Sequence, residues 1–454
     1  MSTNWWLWTV SVALMACFLA HAGRGICGET TFTRVDLATQ EDHSWGDVQV
    51  GDLNGDGNPD IQAGKQWYEG PDWVRHSFGP NPGNIYGTGQ CLLYDVDGDG
   101  DLDILGYLAE PYRYCWFENP GPPSTGPWAL HIIGVIRKGW PEGKCIVDLD
   151  GDGKDELITL EKDGTGIQRA EIPSEPKGPA NWKFTQISSA SGHGLAIGDL
   201  NEDGRPDIVA DYTWIEQRAG GGWAHHDIPQ RPEGQRATET TSPLIADLDG
   251  DGDKDLFLPR AHNYGAYWLE SSGGSSPNFK LHEVLHDQLP SQFYGAAYGD
   301  IDGDGDMDVF GGQCHYSHRD PGESDPPDVF WIESVPSGVS GRVTWVKHQL
   351  STQLKMGRYP SIADLDGDGD MDLVMRPIGF GGYRELEPKA QYDVTIFFQK
   401  RPGALKLGSA EEPCSQLKNL RYWAKNKGSM ALLRGLSAES KLAIPRNSAQ
   451  RISE

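Results

Sequence analysis

Residues 148–156 read DLDGDGKDE, and this stretch decides the fold. Its pattern, Asp-x-Asp/Asn-x-Asp-Gly-x-x-Asp/Glu, occurs seven times, starting at Asp52, Asp95, Asp148, Asp199, Asp247, Asp300 and Asp364. Oxygens at positions 1, 3 and 5 can converge on one ion if the loop wraps around it. The Gly at position 6 permits the sharp turn, and the carboxylate at position 9 closes the shell. The expected ligands are Asp52, Asn54, Asp56 and Asp60; Asp95, Asp97, Asp99 and Asp103; Asp148, Asp150, Asp152 and Glu156; Asp199, Asn201, Asp203 and Asp207. The last three loops add Asp247, Asp249, Asp251 and Asp255; Asp300, Asp302, Asp304 and Asp308; and Asp364, Asp366, Asp368 and Asp372. An acidic turn without metal would explain one copy. Seven copies predict up to seven structural Ca²⁺ ions.

An EF-hand is excluded, because it needs a bidentate Glu at position 12. Here that position holds Ala63, Gly106, Thr159, Ala210, Leu258, Gly311 and Met375. The flanks are short, apolar and often β-branched, as in CIV before Asp148 and LITL after Glu156. They read as strands, so each loop joins the two strands of a hairpin. Loop spacings of 43 to 64 residues fit one four-stranded propeller blade per loop.

The third strand of most blades is an aromatic segment: QWYEG at 66, CWFEN at 115, TWIEQ at 213, YWLES at 267 and FWIES at 330. Blades three and seven depart, with GIQRAE at 166 and TIFFQK at 395. A fourth strand follows, often as Trp-x-x-His, whose histidines (His76, His131, His225, His348) have a structural role in the repeat. Blade seven lacks a fourth segment. Phe32–Leu37 has its look and lies before blade one, so it is expected to be the outer strand of blade seven and to close the ring. The expected fold is therefore all-β, a seven-bladed propeller over residues 31–402.

At this point the chain resembles the FG-GAP/VCBS repeat family of calcium-loop propellers, similar to the integrin α head. The segments GHGLAIGDLNEDG, RAHNYGAYWLE and CHYSHRDPGESDPP also resemble the propeller of aldos-2-ulose dehydratases and similar bacterial secreted proteins. That resemblance implies elimination of water from, or lyase action on, an oxidised sugar. The dehydratases carry additional cupin domains for which this chain has no room.

Formal net charge is −27, which argues against a nucleic-acid partner. Residues 1–22 read as a secretory signal ending in Ala20-His21-Ala22, with lipoprotein anchoring at Cys17 the lesser alternative. No other segment could span a bilayer. A secreted, periplasmic or cell-surface location follows. Of the cysteines beyond the signal, an even number remains, which permits disulfides without fixing a pairing; buried thiols are the competing reading. Residues 403–454 are basic and read as a flexible tail.

A hairpin whose turn binds calcium has its free ends at the opposite face. Positions about six before and seven after each loop should therefore meet there, near the central channel. They are rich in His, Tyr, Arg and carboxylates, groups that stack on and hydrogen-bond sugars or acidic small molecules. Glu142 and Tyr359 are among them. The densest group comes from blades four to six. Catalytic candidates are His193, His262, Tyr264, His315 and His318; substrate-binding candidates are Arg260, Asn263, Tyr294, Arg319 and Arg358. Three or four imidazoles at one height could hold one Zn²⁺ or similar ion; separate hydrogen-bonding histidines are the alternative. No P-loop, dinucleotide or nucleophile-elbow signature is evident. The two readings are a carbohydrate-active carbon–oxygen lyase, and a non-catalytic extracellular propeller that binds carbohydrate or protein.

Overall fold

The computed structural model describes residues 30–38, 47–77, 91–108, 113–136, 140–162, 164–179, 181–228, 240–314, 325–378 and 392–400. Among them there is no helix. Seven four-stranded antiparallel sheets form the blades, with one further two-stranded pair, Lys355–Met356 with Pro377–Ile378. Blade three shows the pattern: Trp140–Val147, Glu156–Lys162, Gly166–Glu171 and Thr185–Ser188, in that order from the channel outward.

The burial gradient explains the sequence. Second strands such as Asp207–Ala210 and Asp372–Met375 are buried at every residue, which is why they are continuously apolar after their first residue. Fourth strands such as Trp223–Asp227 mix exposed and half-buried positions. Seven apolar clusters each join consecutive blades. Tyr212, Trp214 and Ile228 of blade four pack with Leu256, Leu258 and Tyr267 of blade five. Val48, Ile61 and Tyr68 of blade one pack with Leu365, Val374 and Ile396 of blade seven. The Val48 N–H also donates to the Tyr359 carbonyl at 3.1 Å. The first and last blades are therefore neighbours.

Thr31–Ala38 is the outermost strand of blade seven, paired antiparallel with Tyr392–Lys400 from Thr31 opposite Lys400 to Leu37 opposite Val394.

In six of the seven loops position 9 does more than the sequence reading assigned to it; in loop three Glu156 accepts the Leu149 N–H, and the end of the third strand bonds the Asp155 carbonyl. Asp60 accepts the Leu53 N–H at 2.8 Å with one oxygen and the Gly70 N–H at 2.9 Å with the other. Asp308 does the same with Ile301 and Ser334, and Asp372 with Leu365 and Gln399. One buried carboxylate thus ties the loop to the end of the third strand, and an Ala there would leave two buried donors unsatisfied.

The aromatic third strand and the histidine of the fourth form a second repeated device. The imidazole stacks on the indole and its Nε2 meets a carboxylate two residues further along the third strand. Trp67–His76–Glu69, Trp116–His131–Glu118, Trp268–His282–Glu270 and Trp331–His348–Glu333 are four copies, with ring centroids 4.1–4.6 Å apart. In blade four the histidine is His226, not His225. His226 lies opposite Trp214 and reaches Glu216 at 2.6 Å, whereas His225 lies opposite Ile215 with its side on solvent. A one-residue step along a strand reverses the face. His226→Ala should cost about 1 kcal/mol, and His225→Ala less than about 0.5 kcal/mol. Equal costs in urea unfolding would contradict the assignment.

Among the described residues no disulfide joins Cys91, Cys115, Cys145 and Cys314; Cys145 is half-buried and the other three are buried. Cys27, Cys414, the signal segment and the tail lie outside the described residues. No described helix is long and apolar enough to cross a membrane.

Candidate functional site

The face opposite the acidic loops carries a buried polar network on the ring axis. Its members lie at or just before the start of inner strands, or at or just after the end of second strands, as the hairpin geometry requires. Glu142 and Lys162 come from blade three, and His193 from the approach to blade four. His262 follows the second strand of blade five, Tyr294 precedes blade six, and Arg358 and Tyr359 precede blade seven. His193, His262 and Tyr294 are only 2%, 3% and 1% exposed.

The contacts are specific. The Tyr294 hydroxyl lies 2.6 Å from His262 Nε2, and that nitrogen lies 3.2 Å from His193 Nε2. The three rings meet edge to face at 5.0–5.4 Å. Lys162 Nζ hydrogen-bonds His193 Nε2. On the other side of that ring, Nδ1 is 3.5 Å from Glu142 Oε1. Lysine only donates, so the Lys162 contact makes Nε2 the acceptor and leaves the proton on Nδ1, facing Glu142.

Glu142 is fixed from across the channel. Arg358 Nη1 donates to its Oε2 at 2.7 Å, and the Tyr359 hydroxyl donates to its backbone carbonyl at 2.8 Å. The same hydroxyl reaches the His193 carbonyl at 3.3 Å. Blade seven stands opposite blades three and four in a ring of seven, so these two residues cross the channel. Burial works to raise the Glu142 pKa, but the Arg358 charge and the His193 contact outweigh it and bring the carboxyl down to about 2. Arg358 also lies over the Tyr294 ring at 5.1 Å. Gly295 makes this approach feasible: a Cβ there would fall 1.1 Å from the Arg358 carbonyl oxygen.

Other expected residues sit elsewhere. Arg260 stacks over Tyr267 at 4.9 Å and donates to the Tyr264 carbonyl, so it braces its own loop. Asn263 accepts from the Tyr264 amide. Tyr264 is half-buried beside Asp325, and Tyr294, not Tyr264, presents a hydroxyl to His262. His315, His318 and Arg319 lie outside the described residues. Lys162 was not among the expected residues. A partial signal was present, since Lys162 stands six residues after Glu156, one short of the offset of His262 from Asp255.

Of the four imidazoles expected to share an ion, His193 and His262 bring their Nε2 atoms to 3.2 Å with Lys162 Nζ beside them, and His315 and His318 lie outside the described residues. The described pair, with the Tyr294 hydroxyl, is an arrangement suited to proton transfer.

The acidic loops are a second, separate set of sites. In five of them three carboxylates offer oxygens within 4.8 Å of one another: Asp95, Asp97 and Asp99; Asp148, Asp150 and Glu156; Asp247, Asp249 and Asp251; Asp300, Asp302 and Asp304; Asp364, Asp366 and Asp372. Oxygen-only clusters of this spacing fit a hard cation with ligands at about 2.3–2.6 Å. Burial, then like charges, push Asp101 up to about 7 and Asp302 to about 6. Loops one and four carry Asn54 and Asn201 instead of a third such carboxylate. Loop four also holds Arg205 against Asp203, and loop three holds Arg169 at 2.9 Å from Asp150.

Segments 95–159 and 247–311 match the model of the FG-GAP-like repeat. The chain is a seven-bladed β-propeller with FG-GAP-like repeats. Among solved structures, the biofilm matrix protein Bap1 of V. cholerae is 11% identical with a TM-score of 0.40, over 81% of this chain and 91% of that one. BBS1N, solved in complex with ARL6DN, is 10% identical with a TM-score of 0.44, over 85% of this chain and 100% of that one. The PQQ-bound aldose sugar dehydrogenase of Streptomyces coelicolor is 12% identical with a TM-score of 0.38, over 82% and 99%. No curated protein matches the chain.

Proposed function

We propose that this chain is an extracellular calcium-binding propeller whose axial polar face acts as a carbohydrate-active carbon–oxygen lyase. The observation that carries this reading is the Tyr294 hydroxyl 2.6 Å from His262 Nε2, with His193 Nε2 a further 3.2 Å away. Elimination from an oxidised sugar needs a base for the proton beside a carbonyl or carboxylate, and an acid for the departing oxygen. His262 supplies the base and Tyr294 a hydroxyl for the leaving oxygen, while Lys162, beside His193 Nε2, is available to engage the substrate carbonyl. The product is an unsaturated carbonyl sugar, with water or an alcohol released.

Calcium at the loops would hold the blades that carry these side chains, with the loop carboxylates and Asn54 and Asn201 as ligands. The export signal expected in residues 1–22 supports the extracellular reading, a setting in which calcium is abundant.

The test is ultraviolet absorbance of the conjugated product, using calcium-saturated protein and a panel of keto-sugars and uronate oligosaccharides. Tyr294→Phe and His262→Gln should each lower kcat by roughly 10²–10⁴-fold, with the fold intact by circular dichroism. No turnover together with saturable saccharide binding, lost on Arg358→Ala, would replace catalysis with a binding function. The deep burial of the three rings favours that second reading, since they would form a rigid floor.

A further inference from the structure

Lys162, His193 and Glu142 form a chain of three groups in which each end has a defined partner. Glu142 Oε1 faces His193 Nδ1 at 3.5 Å, and His193 Nε2 accepts from Lys162 Nζ. The carboxylate is itself immobilised by Arg358 at 2.7 Å and by Tyr359 through its backbone. This is the geometry of an activated nucleophile: a weak nucleophile on a base, and the base oriented by a carboxylate.

From this juxtaposition we propose that Lys162 is a covalent catalytic residue that forms an imine with the carbonyl carbon of an aldehyde- or keto-sugar. This rests on the elimination reading and narrows its substrate to sugars with a free carbonyl.

The steps balance without an external oxidant or reductant. His193 Nε2 takes one proton from the Lys162 ammonium, and the imidazolium is stabilised by Glu142. The freed amine lone pair attacks the carbonyl carbon, and the C=O π electrons move to oxygen. That oxygen takes the proton from His193 and a second from the carbinolamine nitrogen and leaves as water, giving the protonated imine. The cationic nitrogen then draws electrons as the neighbouring C–H proton passes to His262. The β carbon–oxygen bond breaks, the departing oxygen is protonated by Tyr294, and the His262 imidazolium returns its proton to the Tyr294 phenolate. Water hydrolyses the imine and restores Lys162.

The experiment is reductive trapping of the full, calcium-saturated chain with dihydroxyacetone and cyanoborohydride, followed by peptide mass mapping. Lys154 and Lys177 serve as internal references because their side chains are 58% and 51% exposed. Lys162 should be labelled about tenfold or more faster than either, and Glu142→Gln and His193→Gln should remove that advantage. Lys162→Arg should abolish the site adduct and leave the surface labelling unchanged. Labelling of Lys162 no faster than of the two surface lysines in the folded protein would overturn the proposal. Trapping without elimination by the wild type would uphold the imine and reject the lyase reading. Elimination that persists in Lys162→Arg would do the reverse.

Discussion

Stripping calcium with a chelator should lower the melting temperature by roughly 10–15 °C, and adding calcium back should restore it. The loops bring carboxylates together before any cation is counted. In five of them three oxygens lie within 4.8 Å, and burial with mutual repulsion raises several of these carboxyls. A cation bound to the folded loop and not to the unfolded chain removes that repulsion and adds its binding free energy to stability. Extracellular sites have Kd near 10⁻⁴ M, so at about 10⁻³ M calcium each contributes about 1.4 kcal/mol, and seven give on the order of 10 kcal/mol. Loops three and four should contribute least, because Arg169 and Arg205 already sit on Asp150 and Asp203. Calorimetry with and without chelator measures the effect. An unchanged melting temperature would mean that the loops are tied by their own hydrogen bonds and need no ion.

The fold was legible because its signals are local and repeated. Loop, strand and turn lie within about a dozen residues, and seven copies average out what one leaves ambiguous. The third strands expected at QWYEG, TWIEQ and FWIES fall where the backbone places them. Blade three shows the limit of such reading. WKFTQI suggests a strand from Trp182, but pairing begins at Thr185; the Trp182 indole instead donates to the Pro176 carbonyl and packs in the apolar cluster that joins blades two and three.

The site was legible only in outline. The height rule put His193, His262, Tyr294, Glu142, Arg358 and Tyr359 on one face, because height along a hairpin follows from counting. It could not pair them. The Arg358–Glu142 contact spans 216 residues and crosses the channel, and no local pattern encodes which opposite blade a side chain reaches. Tyr264 and Tyr294 both fall on this face by counting, and of the two it is Tyr294 whose hydroxyl meets His262. Lys162 escaped because a lysine ending a strand resembles a solvated cation until the neighbouring blade supplies the imidazole that receives it.

A chain lacking residues 31–38 should lose on the order of 5–10 kcal/mol of stability and aggregate. The segment is the last strand of blade seven although it comes first in sequence, so nothing else in the described structure occupies that edge. Val35 and Leu37 pack on the cluster that joins blade seven to blade one, and Phe32 packs on the one that joins it to blade six. The Thr395 hydroxyl donates to Asp36 at 2.8 Å, adding a side-chain tie between the two ends of the ring. Deletion would strip these contacts and the ladder together. It would leave the long strand Tyr392–Lys400 with open backbone donors and acceptors beside apolar Val394, Ile396 and Phe397. Such an edge pairs with another copy. Light scattering and thermal melting of the truncated protein would show this, and a peptide of residues 31–38 added in trans should restore the monomer by strand addition. A truncated protein that stays monomeric with the melting temperature of the full chain would show that blade packing alone holds the ring, because the 31–38 pairing would then add nothing to the contacts between blades seven and one.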